Sequence, residues 1–222
     1  AQKSWSKRSA YNRGQILYRM AEMLEGKREE LSLSLKQTQG LTSAQTKKLI
    51  DQSIDHLVHF AGFSDKYEQI LGSKNPINGP FHNFTSPTPM GVIGHLSSNE
   101  TLDQLIEKIA ATIISGNTVV CLLGEKTQVL LSILGEIFQT SDLPAGVVNL
   151  LSGQIDELSN HFFSHLEING VSFSTISATH LAKGKELGST HLKRIISFEG
   201  LNSISLLEKS IEFKTFWHPI GR

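Results

Sequence analysis

An α/β fold built on a doubly wound parallel sheet is predicted for most of this 222-residue chain, on three observations. Short apolar runs recur as GVIGHL (91–96), TVVCLL (118–123), VVNLLS (147–152), GVSFS (170–174) and KRIISFE (193–199). Between them lie segments with apolar residues at helical spacing: 100–115, 127–140, a stretch near 154–165, and 178–188. Strands alternating with helices of that length close as parallel βαβ units with right-handed crossovers. The chain is 39% hydrophobic, enough for a sizeable core.

Ahead of that series, residues 15–40 carry Ile16, Leu17, Met20, Met23, Leu24 and Leu31 at helical spacing. Gly26 interrupts them, so two helices are expected, the second ending at Gly40. Residues 43–71 read as one longer helix with Ser43 as its N-cap and a stripe of Leu49, Ile50, Ile54, Leu57, Val58 and Phe60. Residues 72–90 change character, and four of the six prolines (76, 80, 87 and 89) fall there. Phe81 and Phe84 do not share a face of an ideal strand, so a short or bulged hairpin is expected. The tail FKTFWHPIGR reads as an aromatic strand with no helix before it. The resulting division is a helical part at 1–75, a hairpin arm at 76–90, a Rossmann-type α/β domain at 91–209 and a C-terminal strand at 210–222.

Bulk properties exclude several functions. Lys plus Arg and Asp plus Glu both number 21, so no basic excess supports a nucleic-acid partner. One cysteine, Cys121, rules out an internal disulfide framework and any multi-cysteine metal site. No apolar run reaches 18 residues and the start is not a signal peptide, so a cytoplasmic location without a membrane partner is the default expectation.

Motifs with a fixed mechanism (GxGxxG, GxxxxGK[ST], HExxH, GxSxG, CxxC) are absent. Cys121 lies mid-strand, where a thiol acts as a small hydrophobe. His161 with His165, and His56 with His59, have helical spacing but no acidic or cysteine companions, so no metal site is expected. Glu199 ends an apolar strand and reads either as a general base or as a cap or ion-pair partner. Asn99 and Glu100 follow GVIGHL, where they could meet an oxyanion or cap the following helix. Ser174, Thr175 and Ser177 at a helix start could meet phosphate or serve as caps.

The order of segments resembles the aldehyde dehydrogenase superfamily: RGQILYRMAEMLEGKREEL (13–31), AGFSDKYEQILG (61–72), PMGVIGHL (89–96), IAATIISGNTVV (109–120), LPAGVVNLLSG (143–153), INGVSFS (168–174) and LKRIISFEG (192–200). The resemblance implies a Rossmann-type cofactor domain preceded by helices, with a β-hairpin and C-terminal strand as an oligomerisation arm. Its functional positions are altered. Where the family has Pro-Trp-Asn, this chain reads SSNE (97–100), and a one-residue gap places Asn99 on the oxyanion Asn. Leu122 stands for the ribose-binding Lys, while Glu125 matches the ribose-binding Glu. The family's Gly-Pro after the next strand corresponds to Ile155-Asp156. FSTI (173–176) puts Thr175 for a glycine beside the pyrophosphate, leaving Ser174 as the remaining contact. Glu199 matches the general base, without the glycine pair that follows it.

No cysteine follows Glu199, whereas the family's nucleophile does, in a catalytic domain that this chain is expected to lack. FKTFWHPIG resembles the family's returning C-terminal strand. The pattern is most similar to the truncated second half of the family-16-type aldehyde dehydrogenases, and a start that enters mid-segment agrees with it. The implied function is a non-catalytic structural and oligomerisation module, with no retained cofactor. Its partners would be a second copy, as a homodimer, or a catalytic aldehyde dehydrogenase unit, contacted through Phe81, Phe84, Phe213, Phe216 and Trp217. The alternatives are a residual NAD- or NADP-binding module, with Glu125 and Ser174 as contacts, and a fragment of an active enzyme oxidising an aldehyde to a carboxylic acid with NAD(P). In the first reading Asn99 and Glu199 are vestigial.

Overall fold

The computed structural model describes residues 1–221. A short helix α1 (Gln2–Trp5) precedes α2 (Ala10–Gly26) and α3 (Arg28–Gln39), which meet at Lys27; α3 stops at Gly40 in the left-handed region (φ 65°). The long helix expected over 43–71 is two: α4 (Ser43–Phe63) and α5 (Tyr67–Leu71). The polar run Ser64-Asp65-Lys66, whose side chains compete for backbone groups, separates them. The N-cap of α4 is Thr42 rather than Ser43, because Thr42 and Gln45 form a reciprocal capping box.

After β1 (Ser73–Lys74) and β2 (Phe81–Pro89) comes the series β3 (Val92–Leu96), α6 (Leu102–Ile114), β4 (Thr118–Leu123), α7 (Leu131–Thr140), β5 (Val148–Ser152), α8 (Ile155–Ser164), β6 (Gly170–Phe173), α9 (Ala178–Ser189) and β7 (Arg194–Ser197). A 3-10 turn, Gln128–Leu130, leads into α7. The five strands form one parallel sheet in the order β5-β4-β3-β6-β7, as the alternation of elements predicts. Strand order reverses between β3 and β6, which makes their C-terminal ends the topological switch point. One face packs on α6 and the N-terminal helices through Ile93, Val119 and Ile196. The other packs on α8 and α9 through Leu96, Leu122, Val171 and Phe173. Gly94 is needed on that second face: a Cβ there would stand 2.6 Å from the Phe162 ring.

The N-terminal helices lock onto the buried C-terminal end of α6. The Trp5 indole N–H donates to the Ile113 carbonyl at 2.8 Å, and the Arg13 guanidinium to the Ile114 carbonyl at 2.7 Å. Both carbonyls lie in the last turn of the helix, where acceptors lack an i+4 partner; that of Ile113 also accepts the Gly116 N–H.

The tail corrects two expectations. A helix, α10 (Ser203–Lys209), does precede the last strand, capped by Asn202, whose side chain accepts from the Ser205 N–H. The last strand, β8 (Ile211–Pro219), pairs antiparallel with the whole of β2, from Phe81↔Pro219 to Pro89↔Ile211. β1 and β2 form a short hairpin, as one of the two expectations for 72–90 had it, with Ser73↔Thr85 and Lys74↔Phe84 paired, but the main partner of β2 is β8, in a regular nine-residue ladder without a bulge. Both faces carry aromatics, which is why a one-face reading of Phe81 and Phe84 suggested a bulge. The Asn83 carbonyl accepts from the Asn75 N–H, so odd-numbered residues of β2 turn their backbone polar groups toward β1. Pro87 and Pro89 fall on that side beyond the end of β1, where no partner is denied a donor.

Buried Asn117 ties the arm to the domain. Its Oδ1 accepts the Gly91 N–H at 2.8 Å, and its Nδ2 donates to the Ser210 carbonyl at 2.6 Å, joining the chain just after β2 to the residue just before β8.

Candidate functional site

At the switch point the loops after β3 and β6 face each other, and a doubly wound sheet places its ligand in that crevice. Here the crevice is laced by the chain's own groups. The Ser98 hydroxyl donates to the Thr175 carbonyl at 2.9 Å, joining the two loops directly. Beneath them Glu100 turns inward, 3% exposed. Its Oε1 accepts from Lys108 Nζ at 2.8 Å and from the Ser174 hydroxyl, and its Oε2 lies 2.9 Å from His95 Nε2. His95 Nδ1 is paired with the Ser172 hydroxyl at 2.9 Å. Burial alone would raise the Glu100 carboxyl, but His95 and Lys108 together outweigh it and hold it well below the usual carboxylate range.

Three members are placed by rigid elements, while Glu100 and Ser174 come from the loops after β3 and β6. His95 and Ser172 sit on the sheet face under α6, in the cross-strand pair His95↔Ser172. Lys108 comes from the middle of α6. That helix begins after Thr101, whose N–H donates to the Gln104 side chain, so neither Asn99 nor Glu100 caps it. Cys121 stands beside His95 on the same face, fully buried. Burial pushes its thiol well up, and the Glu100 charge adds to that, so the thiolate required of a nucleophile is suppressed.

The residues singled out from sequence do not converge. Glu199 is exposed, with its backbone N–H on the Ser197 hydroxyl at 3.4 Å and no side-chain partner among the described residues. Asn99 is exposed and offers only its carbonyl, 3.5 Å from Lys126 Nζ. Glu125 is exposed on the loop after β4, lining an open groove of about 570 Å³ with Gln39, Lys48, Gln52, Thr101 and Lys126, whereas Ser174 is turned to Glu100. Ser177 caps α9 by accepting the His180 N–H, and His180 Nε2 pairs with Asp156 at 2.9 Å, linking the N-terminal ends of α9 and α8. His165 accepts the Glu167 N–H and His59 stacks on Phe63; no cluster able to hold a metal occurs among the described residues. Three members of the buried cluster, His95, Lys108 and Ser172, have no role in the sequence analysis, and the first two carried a readable signal. Their signal was a histidine inside GVIGHL and a lysine inside LIEKIAATII, polar breaks in elements otherwise destined for burial.

The arm is the opposite case. Phe84 stacks on Phe216 with ring centres 5.1 Å apart, and Phe81 meets Trp217 edge-on at 5.9 Å. These pairs lie on opposite faces of the ladder. Trp217 is nevertheless 61% exposed, and Phe81, Phe213 and Phe216 are exposed beside it. The outer edge of β8 has no strand partner among the described residues.

The sequence model of the aldehyde dehydrogenase family matches residues 1–211. The chain belongs to the aldehyde dehydrogenase family. Omega-crystallin of Enteroctopus dofleini is 30% identical over 195 residues, 86% of this chain and 38% of that protein. Aldehyde dehydrogenase 1A1 of Gallus gallus is 31% identical over 195 residues, 86% and 37% of the two chains. Among solved structures, the NAD-dependent benzaldehyde dehydrogenase of Corynebacterium glutamicum superimposes with a TM-score of 0.76 at 27% identity, covering 88% of this chain and 43% of that one. PnpE in complex with nicotinamide adenine dinucleotide superimposes at 0.80 and 26% identity, covering 87% and 40%. This member of the family thus spans roughly two fifths of the length of those relatives.

A dinucleotide, which the family fold implies, does not fit the residues at this chain's switch point. Ser98 and Ser174 are spent on intramolecular bonds. Leu122 is buried in the cluster under α8 and α9 and has no polar group to offer. Gly124, whose smallness could admit a ligand, instead packs against the Ser98 carbonyl, 2.2 Å from where a Cβ would stand.

Proposed function

We propose that this chain is a non-catalytic aldehyde-dehydrogenase-like unit that works as a structural and assembly module. The observation that carries the reading is the arm: a two-strand ladder presenting Trp217, Phe213 and Phe81 on one face and Phe84 and Phe216 on the other, with a β8 edge that has no strand partner among the described residues. The face with Phe81, Pro87, Phe213 and Trp217 is the more apolar one, the other carrying the Phe84–Phe216 pair among His82, Lys214 and Glu212, and exposed aromatics on so thin a ribbon gain by being covered. Backbone pairing along β8 with aromatic anchors on either side is the chemistry of β-augmentation. The arm strands pair with each other in one chain, so the docking unit is the assembled β2–β8 ladder rather than two separate strands. Its partner is a second copy, or a catalytic aldehyde dehydrogenase unit, given the share of its relatives' length that the chain spans. The sealed Cys121 and the closed crevice agree with a role that needs no chemistry.

Light scattering on the purified chain tests this, alone and mixed with a catalytic aldehyde dehydrogenase unit. A dimer or a mixed complex that dissociates in a Phe213→Ser, Trp217→Ser double variant, and on deleting 210–222, is the expected result. An assembly unchanged by those substitutions would overturn the role given to the arm.

A second reading, residual NAD or NADP binding through Glu125, is favoured by the likeness to PnpE with its dinucleotide. Titration with both nucleotides separates it from the first.

A further inference from the structure

We propose that the switch point holds a built anion site and that the chain occupies it with its own Glu100 carboxylate. The inference is independent of the assembly role. Three donors converge on one carboxylate: Lys108 Nζ at 2.8 Å, His95 Nε2 at 2.9 Å and the Ser174 hydroxyl. Lys108 on α6 and His95 on β3 are fixed by the helix and the sheet independently of the loop that carries Glu100, while Ser174 comes from the loop after β6, which Ser98 ties to that loop. Lys108 and His95 have no other acidic partner among the described residues, and both are more than nine-tenths buried. Left without an anion, the Lys108 ammonium would be buried and uncompensated and His95 Nε2 would lose its partner, which is strongly unfavourable. The occupant sits on a short loop beside exposed Asn99, one residue from solvent.

The ligand class is a small carboxylate. Two oxygens of one planar group divide the donors, with Lys108 and Ser174 on Oε1 and the closest imidazole approach on Oε2. Cutting Glu100 back to alanine removes Cγ and the carboxylate, the size and charge of an acetate ion. The emptied cradle should therefore accept acetate, whereas the native chain, already occupied, should ignore it.

The test is thermal unfolding of the 222-residue chain and its Glu100→Ala variant, in sodium chloride and in sodium acetate at equal ionic strength near neutral pH. In chloride the variant should melt roughly 10 °C lower, as expected for a buried charge pair that loses one partner. Acetate should restore about half of that loss or more in the variant, and shift the native chain no further than chloride does. Adding Lys108→Met to the variant should abolish the acetate effect. Equal responses of native chain and variant to acetate, or an acetate effect that survives Lys108→Met, would overturn the proposal. Should Glu100→Ala fail to fold in chloride, refolding into acetate decides: recovery of folded protein supports the site, and failure in both salts overturns it.

Discussion

The two ends of the β3 strand path are built on opposite terms. At its C-terminal end, His95, Glu100, Lys108, Ser172 and Ser174 turn inward and bond to one another, and the loops above them are tied by Ser98 and Thr175. At its N-terminal end, across the Asn117 clamp, the chain runs out into a ladder whose aromatics stack in pairs yet remain exposed. The end where an α/β domain meets its ligand is closed, and the end remote from it presents unsatisfied apolar surface. Where polar groups satisfy one another little is left to bind with; where apolar surface stays wet there is free energy to gain by association.

Four experiments would break or sharpen that contrast. Lys108→Ala should have the largest effect, roughly 3–5 kcal/mol of folding stability by urea denaturation, because Glu100 would keep its burial and lose its closest cation. A loss below about 1 kcal/mol, the range of an exposed ion pair, would mean the cluster is solvated rather than sealed. Acidification probes the same group. The folded-state pKa of Glu100 is depressed, so the folded chain binds fewer protons than the unfolded one as pH falls. Its contribution is complete above the unfolded value near 4.3 and drains away as pH drops from there toward the depressed folded value. Acid titrations of stability should therefore be steeper below about pH 5 for the native chain than for Glu100→Gln; parallel curves would contradict the depressed carboxyl.

Asn117→Ala should cost about 1–3 kcal/mol, since it strands the Gly91 donor and the Ser210 acceptor. Hydrogen exchange should locate the added opening at the base of β2 and β8; uniform protection there would show that the clamp is dispensable. Trp217→Ala should be the mildest, within about 1 kcal/mol for the isolated chain because the ring is largely exposed, while still weakening assembly. A stability loss larger than that of Asn117→Ala would place Trp217 in the fold rather than on a docking surface.

The parallel sheet was legible because its strands are short, apolar and regularly separated by amphipathic helices, a pattern that local periodicity reads well. Arm geometry was less so: Phe81 and Phe84 face opposite ways in a ladder with two working surfaces, and its partner strand lies some 130 positions downstream in the register Thr85↔Thr215. The helix α10 was missed because it is a single short segment whose clearest sign is the Asn202 cap. Glu199 and Asn99 drew notice for their positions after strands, yet both point to solvent. Glu100 reads from sequence as an oxyanion contact or a cap; its partners, His95 and Lys108, lie on separate elements, and only the packing of α6 on the sheet brings them together.

Calorimetric titration of the chain with NAD and with NADP tests the closed crevice most directly. With Ser98, Ser174 and Leu122 all turned to internal contacts, no saturable binding is expected up to about 1 mM of either nucleotide. A saturable isotherm with a dissociation constant in the micromolar range would show that the crevice opens, and would contradict the account of a fold kept for assembly after its ligand site was filled from within.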